Sequence, residues 1–303
     1  MTVLQQIPRC CLSEGKVGVS FEFFPPRNPA ASDMLWRTVA QLEPLAPQFV
    51  SVTSGAGGST REVTIQTVLR LRRDSPIEPA AHMTCVGATE GEVTALAETY
   101  WASGVRRIVA LRGDAPAGGA SPPAGHLRHA CDLVACLRRT ADFDISVAAF
   151  PETHPEALSP AADLDNLKRK LDAGAARAIT QFFFDVPVYL RFVERARKAG
   201  IHQEIVPGIL PIGNFAQVAN FSRRCGASVP DWLARLFDGL DDDPATRELV
   251  AATVAAELCA SLWAEGVRQF HFYTLNRGNL TAAVCRLLGL KPQSQSAPLP
   301  IVA

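Results

Sequence analysis

A carboxylate interrupts one of the most apolar runs of this sequence, Val17-Gly18-Val19-Ser20-Phe21-Glu22-Phe23-Phe24-Pro25-Pro26-Arg27. Removing an ionised carboxylate from water costs so much that the group either pairs or keeps a proton, and a proton held near neutral pH is what a general acid needs. Glu22 is the first candidate for chemistry; a structural ion pair with Arg27 or another cation is the competing reading. Further polar groups end other short runs: Thr53, His82 with Thr84, Arg112-Gly113-Asp114, Phe150 with Glu152 and His154, Gln181 with Asp185, and Tyr273 with Asn276 and Arg277. None of these run ends carries the lysine of a Schiff-base enzyme. His82, His154 and His271 are isolated in sequence, without metal-ligand spacing, and there is no Gly-x-Ser-x-Gly elbow. One acid, a few carboxylates and amides, and many flat or apolar groups fit an organic cofactor that carries the difficult chemistry.

The elements that must hold these groups alternate between β-branched or aromatic runs and Ala/Leu/Arg/Glu-rich helical stretches, the pattern of βα units on a parallel sheet. The strand candidates are Val17–Phe24, Phe49–Ser54, Pro79–Thr84, Arg107–Leu111, Asp144–Phe150, Ala178–Phe184, Ile205–Leu210 and Gln269–Thr274. Eight such runs predict an α/β fold, a single-domain (β/α)8 TIM barrel over residues 17–291, with an extension at 1–16 and a Ser/Gln/Pro-rich flexible tail at 292–303. Ser32 or Asp33 is a candidate cap for the helix that runs to Leu42. Asp163 opens, and Gly174 closes, another. The stretch Ala115–Gly125 reads as a mobile loop. In a barrel, catalytic groups come from the carboxyl ends of the strands, and the polar groups above all gather there.

Composition narrows the ligand. The chain has 30 Lys+Arg against 30 Asp+Glu, which gives no basic field for nucleic acid and no polybasic face for a membrane. A small neutral or anionic ligand is expected. The longest apolar stretch, Leu249 to Trp263, contains Glu257 and reads as a buried helix rather than a membrane span. Nothing at Met1 to Cys11 reads as a secretion signal, and the 8 cysteines form no Cys-x-x-Cys pair, so a cytoplasmic protein with reduced thiols and no bound metal is expected.

Taken in order, Ser20-Phe21-Glu22-Phe23-Phe24-Pro25-Pro26-Arg27, Phe49-Val50-Ser51-Val52-Thr53, His82-Met83-Thr84-Cys85, Leu111-Arg112-Gly113-Asp114, Thr180-Gln181-Phe182-Phe183-Phe184-Asp185, Pro207-Gly208-Ile209-Leu210-Pro211 and Phe270-His271-Phe272-Tyr273-Thr274-Leu275-Asn276-Arg277 resemble the bacterial, flavin-containing methylenetetrahydrofolate reductases. The resemblance implies a barrel that holds FAD noncovalently, takes hydride from NADH or NADPH, and reduces 5,10-methylenetetrahydrofolate to 5-methyltetrahydrofolate, a step that feeds methionine synthesis. It also implies a homo-oligomer. Because the chain ends soon after its eighth strand and helix, no regulatory domain and no inhibition by adenosylmethionine are expected.

On that resemblance Glu22 is the general acid and Asp114 a catalytic carboxylate beside the flavin, where its charge would lower the cofactor's potential. On spacing alone, Asp114 reads as a turn aspartate. Thr53, Ser54, Ala56, His82, Arg112, Gly113, Asp114, Ala130, Phe150, His154, Ala157, Asp163, Asn166, Arg169 and Lys170 match the family's FAD contacts. Asp163, Asn166 and Lys170 share a helix face, a stripe that alone would read as solvated; Lys170 and Arg112 suit a pyrophosphate. Gln181, Gln217, Phe221, Tyr273 and Arg277 match residues that receive folate or nicotinamide, although Phe221 by itself reads as core. Phe150 and Ser54 stand where the family commonly has tyrosine, which implies altered flavin affinity. The rival expectations are a reductase or oxidase of another one-carbon folate, and a non-catalytic folate-binding barrel. Flavin colour separates the second from the main reading.

Overall fold

The computed structural model describes residues 17–54, 60–113 and 126–292. Its strands are β1 (Gly18–Phe23), β2 (Phe49–Val52), β3 (Pro79–Thr84), β4 (Arg107–Leu111), β5 (Asp144–Ala149), β6 (Arg177–Thr180), β7 (Glu204–Val206), β8 (Gly208–Ile209) and β9 (Gln269–Tyr273). All neighbours are parallel, in the order β7-β6-β5-β4-β3-β2-β1-β9-β8. The expected (β/α)8 barrel is thus present. Its nine strand segments fill eight positions, because β7 and β8 are two halves of one run.

That run was expected to be continuous from Ile205 to Leu210. Pro207 has no N–H for the ladder and splits it. The first half pairs with β6 and the second with β9, so the interrupted strand is where the barrel closes. Thr180 staples the break: its hydroxyl accepts from Gly208 N–H at 2.9 Å, and its carbonyl accepts from the Tyr273 hydroxyl at 2.7 Å. A Cβ on Gly208 would lie 2.1 Å from the Thr180 carbonyl, so this close approach requires glycine. β6 also ends earlier than expected. Phe182, Phe183 and Phe184 are buried in the loop after it, where an apolar run mimics a strand.

Helices α1 (Pro29–Leu42), α2 (Arg61–Asp74), α3 (Glu90–Ala102), α4 (Ala130–Thr140), α5 (Pro160–Asp172), α6 (Val186–Lys198), α7 (Phe215–Cys225), α8 (Asp231–Phe237), α9 (Pro244–Ala264) and α10 (Gly278–Leu287) complete the described residues. The cap of α1 is Asn28 rather than Ser32 or Asp33, with Pro29 at the first helical position. Likewise α5 is capped by Ser159, whose hydroxyl accepts from Ala162 N–H at 3.1 Å; Asp163 lies in the first turn instead of opening the helix. None of the described helices is long and apolar enough to cross a membrane.

Strand alternation sorts the layers. Val19, Phe21 and Phe23 of β1 are buried with the helices, whereas Ser20 and Glu22, on the opposite face, look into the barrel. Phe49, Ala80, Val109, Ile179 and Val206 plug the lumen. Below that plug Asp144 pairs with Arg107 at 2.5 Å and Arg177 at 2.7 Å, which closes the amino end. The polar lumen opens only toward the carboxyl ends of the strands, among the described residues.

Candidate active site

Glu22 sits one residue before the end of β1, in register with Ser51 on one side and Tyr273 on the other. Its backbone is clamped to the end of β9: the Glu22 carbonyl accepts from the Thr274 hydroxyl at 2.6 Å, and the Asn276 amide bonds both the N–H and the carbonyl of Phe24 at 2.9 and 3.0 Å. Leu275 and Asn276 adopt φ of 50° and 56° to make this clamp, a conformation asparagine tolerates and leucine resists.

The side chain of Glu22 is 16 % exposed, with its Oε2 3.4 Å from His82 Nε2 and 3.9 Å from His271 Nε2. Its lumen neighbours are therefore imidazoles and the Ser51 hydroxyl, not the phenylalanines adjacent in sequence. Arg27, the nearest cation in sequence, is exposed and forms no salt bridge with it. Burial lowers the pKa of His82 below its ordinary value, against the pull of Glu22, which favours the neutral ring at neutral pH. The 3.4 Å contact is too poorly aligned for a hydrogen bond. His82 Nε2 is thus a buried polar atom left without a hydrogen-bond partner where the ring borders the cavity, and Ser51 Oγ, fully buried, is likewise unpaired.

From this lumen a cavity of about 1200 Å³ runs outward over the carboxyl ends of β2 to β6. Thr53, Ser54, His82, Arg112, Gly113, Ala130, Phe150, His154, Ala157, Asp163, Asn166, Arg169 and Lys170 all line it, so the expected cofactor residues converge. Ala56 and Asp114 lie outside the described residues, as does the loop expected at Ala115–Gly125. Gly113 takes φ of 86° beside Thr84, where a Cβ would come within 3.0 Å of the threonine Cβ, so backbone alone borders the cavity there. Arg112 pairs with Glu156 across the rim. His154 Nδ1 accepts from Glu156 N–H at 3.0 Å, which leaves the proton of the neutral ring on Nε2. His154 N–H in turn donates to Asp163 at 3.0 Å, and the ring meets Phe150 edge-on at 4.5 Å. Thr153 beside them holds φ of 86°, a strained conformation at a ligand-lining loop.

Lys170 departs most from a solvated stripe. It is 6 % exposed and donates from Nζ to the Ala148 carbonyl at 2.6 Å; burial pushes its pKa down to about 8, opposed by Asp163. A second cavity of about 290 Å³ adjoins the first at Phe24, Phe221 and Leu275 and holds Gln217 and Arg277, while Gln181 and Tyr273 line the larger one. Phe221 is 41 % exposed and stacks on Phe182 at 5.5 Å, so it borders both cavities rather than filling the core. Sequence reasoning missed Ser51, Thr274, Phe24 and Arg224 as parts of the site. Of these, Phe24, Ser51 and Thr274 stand inside the runs that carry the resemblance, whereas Arg224 carried no signal.

A closed barrel whose carboxyl mouth holds an acid, two imidazoles and separate basic groups around one long cavity defines a (β/α)8-barrel enzyme with a large bound ligand. The family model for methylenetetrahydrofolate reductase matches residues 5–289, and the chain belongs to that family. It is 51 % identical over 279 residues to the 5,10-methylenetetrahydrofolate reductase of Escherichia coli K12, covering 92 % of this chain and 93 % of that one. To the maize methylenetetrahydrofolate reductase (NADH) 1 it is 32 % identical over 99 % of its own length and 53 % of the plant chain. It is accordingly an oxidoreductase that reduces methylenetetrahydrofolate. In fold it resembles an uncharacterized Clostridium thermocellum protein described as binding two copies of 5-methyl-5,6,7,8-tetrahydrofolic acid, with TM-score 0.62 at 15 % identity over 91 % of this chain and 95 % of that one.

Proposed function

We propose that the chain reduces 5,10-methylenetetrahydrofolate to 5-methyltetrahydrofolate with a nicotinamide nucleotide as donor and noncovalent FAD as intermediary, and that Glu22 supplies the proton. The observation that carries this reading is the placement of one carboxyl at the lumen end of the long cavity, with Gln181, Phe221 and Tyr273 around the same opening. The folate bound by the Clostridium barrel agrees with it.

The residues present fit FAD. His82 Nε2 is an orphaned buried atom at the lumen end, Gly113 gives a side-chain-free wall, and Arg112 and Lys170 bring positive charge to where a pyrophosphate would lie. When bound there, the flavin supplies hydride transfer between nicotinamide and folate. The chain's own residues do the rest. The Glu22 carboxyl gives its proton to the departing ring nitrogen of the substrate, whose bond to the methylene carbon then breaks with the electron pair kept on nitrogen. The methylene carbon is left as an electrophile on the other nitrogen. Gln181 bonds the pterin edge, Phe221 stacks on the flat ring, and Arg277 faces the anionic glutamate tail.

The purified protein is expected to be yellow, to bleach with NADH or NADPH, and to recover colour on adding 5,10-methylenetetrahydrofolate. Glu22→Gln is expected to abolish the second change and retain the first. A protein that stays colourless after incubation with FAD would exclude this reading. Loss of both half-reactions together in Glu22→Gln would remove the acid role.

A further inference from the structure

Beneath Glu22 lies a buried pair, of which His271 borders the floor of the large cavity and Ser20 lies behind it. Ser20 Oγ is 2.7 Å from His271 Nδ1, and the two residues are 4 % and 1 % exposed. The ring of His271 is held on both sides, stacked on Phe49 at 5.8 Å and edge-on to Tyr273 at 5.4 Å. Its Nε2 is aimed at Glu22 Oε2, 3.9 Å away, beyond hydrogen-bond distance.

A neutral imidazole carries one ring proton, so this geometry allows two arrangements. If Nδ1 held the proton, it would donate to Ser20, the serine proton would have no acceptor among the described residues, and a lone pair on Nε2 would face the Glu22 oxygen. If Ser20 donates to Nδ1, every proton has a use, and the Nε2–H faces Glu22. Only the second arrangement favours the carboxylate left when Glu22 gives up its proton.

We propose that Ser20 and His271 are positioning residues for the acid: the serine hydroxyl fixes the Nε2–H tautomer of His271 so that an N–H dipole faces Glu22 during proton transfer. The proposal rests on Glu22 being the acid of folate reduction. The groups that face Glu22 from the packed strands are Ser20 of β1, Ser51 of β2, His82 of β3, and His271 and Tyr273 of β9. Tyr273 stays protonated, its pKa raised well above the ordinary value by burial and by Glu22. His82 already presents its Nε2 to the same oxygen. The reaction leaves the substrate nitrogen with the proton and Glu22 with the charge, so the nearby dipoles set how readily that charge forms.

The test combines two readouts on the flavin-loaded protein. In protein labelled with ¹⁵N-histidine, His271 is expected to show a protonated Nε2 and a bare Nδ1, with mixed tautomers in Ser20→Ala. A protonated Nδ1 in the unmutated protein overturns the proposal, whatever the enzyme turns over, which separates this failure from failure of the acid assignment. In stopped-flow measurements Ser20→Ala is expected to slow the folate half-reaction about tenfold, the scale of one hydrogen bond, and to move the alkaline limb of its pH profile to higher pH. The effect is confined to that half-reaction. Because an amide has no tautomer to lose, the same serine change is expected to have no further effect in a His271→Gln background. An equal effect in both backgrounds overturns the proposal. If His271→Gln does not fold, the tautomer measurement on Ser20→Ala decides alone.

Discussion

At the scale of single residues, Glu22 was legible as a group that had to be paired or protonated, but its surroundings were not. Its neighbours in sequence are phenylalanines, and the two-residue period of a strand turns them to the other face. The imidazole that Ser20 meets lies 251 residues away, a contact no local pattern reports. Lys170 shows the same limit in reverse. Spacing placed it on a polar stripe, yet the fold buries it against Ala148. Its consequence is a pH dependence. Burial pushes the Lys170 pKa down to about 8 from the ordinary 10.5, so between those values the unfolded chain holds the extra proton and ligand-free stability rises with pH. Binding of a pyrophosphate-bearing ligand works the other way, since a nearby anion restores the proton to the amine. FAD affinity is expected to fall as pH rises above about 8, with proton uptake on binding, measurable by fluorescence titration in buffers of different ionisation enthalpy. Lys170→Met should bind FAD more weakly with a flatter profile over that range. An equally steep profile in the variant would place the titrating group elsewhere.

At the scale of elements, strands β3 and β4 match the sequence reading to the residue because each is a short, continuously buried run bounded by turn residues. The seventh run was placed correctly but not recognised as broken, since Ile-Val-Pro-Gly-Ile-Leu has the composition of one buried strand while Pro207 interrupts its ladder. The break makes Thr180 a joint between the two ends of the barrel. Thr180→Val keeps shape but leaves the buried Gly208 N–H without its acceptor, and is expected to cost about 1–3 kcal/mol in urea unfolding. A change below about 0.5 kcal/mol would mean that the joint contributes nothing measurable. Helix α5 offers a parallel case. Its start is marked by Ser159-Pro160, a cap and first-position pair four residues ahead of the acid expected to open it, Asp163. Ser159→Ala is expected to cost about 1 kcal/mol and to weaken FAD binding, because the first turn carries Asp163, which holds His154 N–H.

At the scale of the whole molecule, the barrel was readable because eight alternating units leave few ways to close a parallel sheet, whereas the shape of the opening depends on which side chains meet across it. That shape constrains the order of events. The larger cavity, about 1200 Å³, holds the residues expected to grip FAD, and the adjoining space is about 290 Å³. The smaller volume is at the low end for a drug-sized ligand, and a folate or a nicotinamide dinucleotide would fill it alone. Gln181, Phe221 and Tyr273 stand at one opening, and Phe221 belongs to both cavities. Two large substrates that need the same exposed face of one cofactor must take turns. Double-reciprocal plots of steady-state rate against either substrate, at several fixed levels of the other, are therefore expected to be parallel, with the oxidised nucleotide released before folate binds. Phe221→Ala should raise the KM for folate and leave the parallel pattern intact. Lines that intersect would mean that both substrates are bound at once, which requires the nicotinamide to reach the cofactor from a surface other than the one Phe221 borders.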